Sequence, residues 1–148
     1  MVGIEMDGFR IRRLSIQNNI GGNGPVKLRS SFDFDVDFDE ESETAVAVLT
    51  ERIELDEHPE QYHIELALEG FFQYSGINNK NDRKIAHSKL YDALFPYADQ
   101  ILAYLVLDCG FAGLRIEKHK MDLEHIHFGE KPKPEKKNGK IIEMKVEE

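Results

Sequence analysis

Residues 26–38 alternate without a break. Val26, Leu28, Ser30, Phe32, Phe34, Val36 and Phe38 hold every second position, with Lys27, Arg29, Ser31, Asp33, Asp35 and Asp37 between them. Successive side chains of a strand point to opposite faces, so this segment makes a strand with one apolar, aromatic face and one charged face. On the charged face Asp33, Asp35, Asp37 and Asp39 stand in a row about 7 Å apart, at a rise of ~3.4 Å per residue. Burying unpaired carboxylates costs several kcal/mol, so the row faces either water or a basic partner. It is not a calcium loop of the EF-hand kind: Phe34, Val36 and Phe38 fill places that such a loop needs for a turn.

The same period recurs on both sides. Phe9 and Ile11 alternate with Arg10 and Arg12, the phase slips at Arg12-Arg13, and Leu14 and Ile16 resume it. This predicts a strand with a bulge or twist at the slip. Asn18 to Pro25, with Gly21, Gly22 and Gly24, predicts a flexible connection. Residues 45–55 read as a third strand and Tyr62 to Tyr74 as a fourth, in which Gly70 marks a bulge or a close backbone approach. The turns at Asp39–Glu43 and Asp56–Glu60 are short and favour an antiparallel meander.

After Gly76 the spacing becomes helical. Ile85, Leu90, Ala93 and Leu94 mark a helix over 82–95, which Pro96 ends or kinks, and Tyr97, Ile101 and Leu105 form the stripe of another. Strands followed by helices predict an α+β fold, a four-stranded antiparallel sheet with helices packed on one face. We expect one domain over residues 1–128 and a polar tail over 129–148. In that tail a frayed end at Ile141–Val146 is favoured over a short strand.

Composition excludes several classes. The formal net charge of −9 gives no basic face for nucleic acid. A single cysteine, Cys109, excludes an internal disulfide and a cysteine-based zinc site. The run Ile101–Leu107 is far short of the about 20 apolar residues a membrane span needs, and Met1–Arg13 lacks the apolar run of a secretory signal. The cytoplasm is the expected compartment.

Catalytic and metal motifs are sparse. His125 and His127, with His119 and Glu124 nearby, have the spacing of two zinc ligands, but surface histidines are the simpler reading. Gly21-Gly22-Asn23-Gly24 lacks the Lys and Ser/Thr of a phosphate loop. Cys109 sits beside Asp108, which disfavours a thiolate. We expect no enzyme, no metal and no cofactor.

The aromatics are the remaining signal. Phe71-Phe72-Gln73-Tyr74 puts large rings on both sides of one strand. One set can face the helices, while the other, Phe71 with Phe32 or Phe34, needs a second cover: core packing, another subunit or a bound chain. Phe71, Phe72 and Tyr74 are therefore the candidates for binding a client polypeptide.

The stretch Gly70–Ile77, Gly-Phe-Phe-Gln-Tyr-Ser-Gly-Ile, resembles a strand of the protein-export chaperone SecB. Ile85-Ala86-His87 and above all Leu94-Phe95-Pro96-Tyr97-Ala98 are similar to the helix that follows it. Phe9–Arg13 resembles that family's first strand, so the likeness runs over residues 9–116. It implies a homo-oligomer, a tetramer built as a dimer of dimers, that buries the helical stripe of Tyr97, Ile101 and Leu105. It also implies an ATP-independent holdase for unfolded preproteins, which hands them to the translocation motor ATPase SecA docked on the acidic sheet face. Glu65 matches the family's docking glutamate, and Asp33, Asp35 and Asp37 could add charge there. Further docking positions fall near Asn18 and Gly22, which carry no charge. Asp99 stands where the family has arginine, Phe111-Ala-Gly-Leu114 departs from its Phe-Pro-x-Leu, and its C-terminal apolar helix has no counterpart in 121–148. A SecB-like module with one dedicated partner, such as an antitoxin, is the alternative.

Overall fold

The structure, a computed structural model, describes residues 1–19, 25–108 and 140–145, of which 25–26, 106–108 and 140–145 are described by their backbone alone. Its elements are β1 (Gly3–Asn18), β2 (Pro25–Asp39), β3 (Thr44–Leu55), β4 (Tyr62–Ser75), α1 (Lys80–Asp108) and β5 (Lys140–Lys145). They form an antiparallel sheet in the order β1-β4-β3-β2-β5 with α1 packed on one face. The fold is α+β, as expected.

Strands β2, β3 and β4 form the expected meander, but β1 does not pair with its sequence neighbour. It lies beyond β4, in a Greek-key order. The connection between β1 and β2 is too long to dictate a hairpin, and β4 offers charge complements: Arg10 meets Glu69 at 2.6 Å and Arg13 meets Glu65 at 3.1 Å. Two irregularities keep the apolar residues of β1 on the helix side. The pairing with β4 shifts between Ile11 and Arg13, where the sequence slips phase, and again between Met6 and Gly8. Ile4, Met6, Phe9, Ile11, Leu14 and Ile16 thereby sit opposite Tyr74, Phe72, Gly70, Leu68, Leu66 and Ile64.

One continuous helix replaces the two expected on either side of Pro96. Proline removes a backbone donor and crowds the preceding turn. Pro96 is exposed, so that defect faces solvent, while Leu94, Phe95 and Ala98 around it stay in the core. Asn79 starts the helix: its side-chain oxygen accepts from the Asp82 N–H at 2.8 Å, and the Asp82 carboxylate accepts from the Asn78 N–H at 3.0 Å.

The core lies between α1 and the inner sheet face. Leu90, Tyr91, Leu94, Ala98 and Leu102 meet Leu49, Ile53, Ile64, Leu66, Leu68 and Phe72, all buried. Gly70 lets the helix approach. A Cβ there would lie 2.7 Å from the Phe72 ring and 2.9 Å from Leu94, so this glycine serves close packing and β3–β4 pairing runs through it unbroken. Lys140–Lys145 forms a strand on β2 where the sequence favours a frayed end.

Candidate functional site

The two sheet faces differ in chemistry, and each carries part of the expected site. On the inner face, rows of side chains run across the strands. The row Ile11–Leu68–Leu49–Phe34 is one, and Ile16–Ile64–Ile53–Ser30 is another. In each, the β4 and β3 members are fully buried under α1, while the β1 member is not. Phe9, Ile11, Leu14 and Ile16 remain 40–48% exposed, because the helix reaches the edge strand without covering these side chains as it covers those of β3 and β4. The helix flank beside them is also apolar and open, with Tyr97 at 40% and Tyr104 at 69% exposure. Ile101 and Leu105 are half-buried. Phe9 and Tyr97 join the two flanks, their ring centroids 4.5 Å apart. Apart from Met1, the exposed large apolar side chains of the described residues all belong to this strip. Surface concentrated this way marks an interaction site.

The expected client residues fall elsewhere. Phe72 and Tyr74 point inward and are buried, with the Tyr74 ring 5.4 Å from Phe38 and its hydroxyl donating to the Asp39 carbonyl at 3.2 Å. Neither is open to a client in the single chain. Phe32 and Phe34 also face the helix, packed on Tyr91 at 5.6 and 5.4 Å. Only Phe71 looks outward, half-buried under the Arg10 guanidinium at 5.5 Å. Alternation put rings on both sides of β4, as found, but Phe32 and Phe34, expected to share with Phe71 the face that needs a second cover, lie on the opposite, helix-covered face, because alternation within one strand does not say which faces of two strands coincide. The strip's β1 residues were legible as a strand. Their exposure depends on β1 lying at the sheet edge, a long-range pairing.

On the outer face the expected acidic residues come together. Arg52 donates to Asp33 at 2.7 Å and to Glu65 at 2.8 Å, and Arg13 reaches the second oxygen of Glu65. Glu69 takes Arg10, with Arg12 at 3.9 Å. Glu65 is thus already committed to two arginines. Partly exposed pairs of this kind contribute on the order of 0.2–1 kcal/mol each, and their larger effect is to fix the face's charge pattern. Asp39 is used locally, accepting from the N–H groups of Glu41 and Ser42. Asp35 and Asp37 stay exposed beside Val48 and Val46. Partial burial, and then Asp33, push the Asp35 carboxyl above its usual range.

A feature the expectations missed lies under the helix. Glu51 is 1% exposed on the inner face, and burial, with Asp99 second, pushes its carboxyl up to about 8. The signal was present: Ala45, Ala47, Leu49 and Ile53 share its parity, so a glutamate stands in an apolar series. His87, half-buried against the Phe34 ring, is held down to about 4 by desolvation.

Among the described residues no cluster of three His, Cys, Asp or Glu is placed to hold a metal ion, and no helix is long and apolar enough to cross a membrane. His119, Glu124, His125, His127 and Cys109 lie outside the described residues.

Residues 26–129 match the family model of SecB, the preprotein translocase subunit. The chain belongs to the SecB family. A SecB-like chaperone of Mycobacterium tuberculosis, solved in complex with a ChAD peptide from an antitoxin, shares its fold with a TM-score of 0.60 at 14% identity. The alignment covers 78% of this chain and 90% of that one. No curated protein matches the sequence. The apolar strip is thus an exposed surface of a SecB-family chain.

Proposed function

We propose that this SecB-family protein is an ATP-independent holdase that works as a homo-oligomer in the cytoplasm and binds unfolded polypeptides. The observation that carries the reading is the apolar strip of Phe9, Ile11, Leu14, Ile16, Tyr97 and Tyr104, left open beside a well-packed core. Its two flanks suit different occupants. The helix flank is a ridge at spacings of three and four residues, and a second copy packs there through Tyr97, Ile101 and Leu105. Among the described residues β1 is an edge strand, and an extended client pairs with its outer backbone edge while laying apolar side chains on Ile11, Leu14 and Ile16. Each client side chain of Leu or Phe size buried there gains about 1.5–3 kcal/mol. Holding is therefore firm over several contacts, reversible at any one of them, and independent of nucleotide.

The outer face supports handover. With Glu65 and Asp33 tied to arginines, Asp35 and Asp37 are the carboxylates that remain to attract a basic partner such as the motor ATPase SecA. The second reading, one dedicated client, is favoured by the antitoxin peptide bound to the structurally similar chaperone.

At a stoichiometric amount the protein is expected to suppress the aggregation of a chemically denatured protein, read by light scattering. No suppression at a several-fold excess removes the holdase reading. Affinity capture from a lysate separates the variants of the proposal. Many unrelated unfolded chains support the general holdase, one stoichiometric protein supports the dedicated module, and salt-sensitive recovery of SecA supports the handover.

A further inference from the structure

Glu51 is a buried acid among the described residues of the inner face that holding an apolar client does not explain. It sits on β3 between Phe32 of β2 and Leu66 of β4, on the sheet face that α1 covers, where Asp99 of the half of α1 after Pro96 acts on its charge. Among the described residues its Oε1 has no hydrogen-bond partner and no cation pairs with it. The titratable group facing it is Asp99 from α1, while β2 and β4 face it with Phe32 and Leu66, which carry no charge. A buried carboxyl on the sheet thus lies within reach of the charge of a half-buried one on the helix. A second negative charge there is strongly resisted, so Glu51 keeps its proton where an exposed glutamate would lose it.

Among the described side chains, the part of α1 before Pro96 buries Ala86, Leu90, Tyr91, Leu94 and Phe95, and the part after it buries Ala98 and Leu102 with Ile101 packed partly on the core. Pro96 lacks the N–H that would tie the two halves across that turn. We propose that Glu51 and Asp99 form a proton-controlled latch: with Glu51 neutral the second half of α1 lies closed on the sheet, and with Glu51 ionised the paired negative charges lift it. The helix flank of the apolar strip, Tyr97 to Tyr104, moves with that half, so the latch regulates the surface on which the proposed function rests. Loss of the proton leaves the Glu51 anion beneath Asp99, and water entering under the lifted half solvates both.

The test is amide hydrogen exchange on the full chain from pH 6 to pH 9.5, corrected for the intrinsic pH dependence, with residues 97–105 compared against 82–94. It needs no client, so its outcome is independent of whether the holdase reading holds. In the wild type, protection of 97–105 is expected to fall at least about tenfold more than that of 82–94 as the pH passes about 8. In Glu51→Gln, which keeps the shape and removes the titration, the two halves should stay in step. Asp99→Asn should move the transition to lower pH, since it removes the charge that helps Glu51 keep its proton. Equal loss in both halves of the wild-type helix, or an unchanged transition in Glu51→Gln, overturns the latch. Should Glu51→Gln fail to fold, an unshifted transition in Asp99→Asn overturns it equally.

Discussion

Replacing Tyr91 by alanine is expected to lower the unfolding free energy by about 3–5 kcal/mol, the range for deleting a buried aromatic ring. Tyr91 is fully buried and stands where three aromatic contacts converge: Phe32 at 5.6 Å, Phe34 at 5.4 Å and Phe95 at 5.8 Å between ring centroids. Phe32 and Phe34 come from β2, so this residue clamps the helix to the far side of the sheet, away from β1. The cavity left behind cannot collapse easily, because the sheet beneath is fixed by paired strands. Against a total stability of about 5–15 kcal/mol for an ordinary domain the loss is large. Urea unfolding at one fixed protein concentration reads it, since self-association otherwise contributes to the apparent value. A loss below about 1 kcal/mol would mean that the aromatic cluster does not anchor the helix.

The second large effect is functional. Ile11→Asp combined with Ile16→Asp is expected to weaken client holding at least about tenfold while leaving the fold and the oligomer mass unchanged. Both side chains are more than 40% exposed, so a charge there costs the folded chain little, but it denies a client two apolar contacts and asks it to desolvate two carboxylates. Tyr97→Glu with Ile101→Glu is expected to act the other way, reducing the solution mass first. Light scattering of a denatured client and the mass at micromolar concentration separate the two flanks. If the β1 pair changes the mass and spares holding, the assignment of the flanks is reversed.

Much of this architecture could be read in the chain. Uninterrupted alternation over 26–38 placed β2 and its acidic face, and the Arg12-Arg13 slip marked a register shift that the β1–β4 pairing contains. The second shift, at Asp7, was hidden because Asp7-Gly8 interrupts no established alternation. Pro96 misled, since a proline breaks a helix only where its missing donor and its ring cannot be accommodated, and an exposed turn accommodates both. The site was legible in kind and not in place. Surplus apolar surface was expected on Phe71 with Phe32 or Phe34, and client contacts on Phe71, Phe72 and Tyr74; of these Phe71 is half-buried on the outer face and the others pack under α1. The surplus is found on Ile11, Leu14 and Ile16 because β1 crosses to the far edge of the sheet, a choice made by contacts about sixty residues apart in sequence, such as Arg10 with Glu69. The outer acidic row lies where alternation put it. That Glu65 is held by two arginines could not be seen without the strand order.

The central claim is that the β1 flank of the inner face is where an unfolded polypeptide is held. Backbone amide exchange of the protein with and without a denatured client bound tests it most directly. New protection is expected to concentrate in Ile11–Ile16, with the outer face around Val46 and Phe71 unchanged. Protection confined to the outer face, or residues 11–16 already fully protected in the client-free protein, would contradict it.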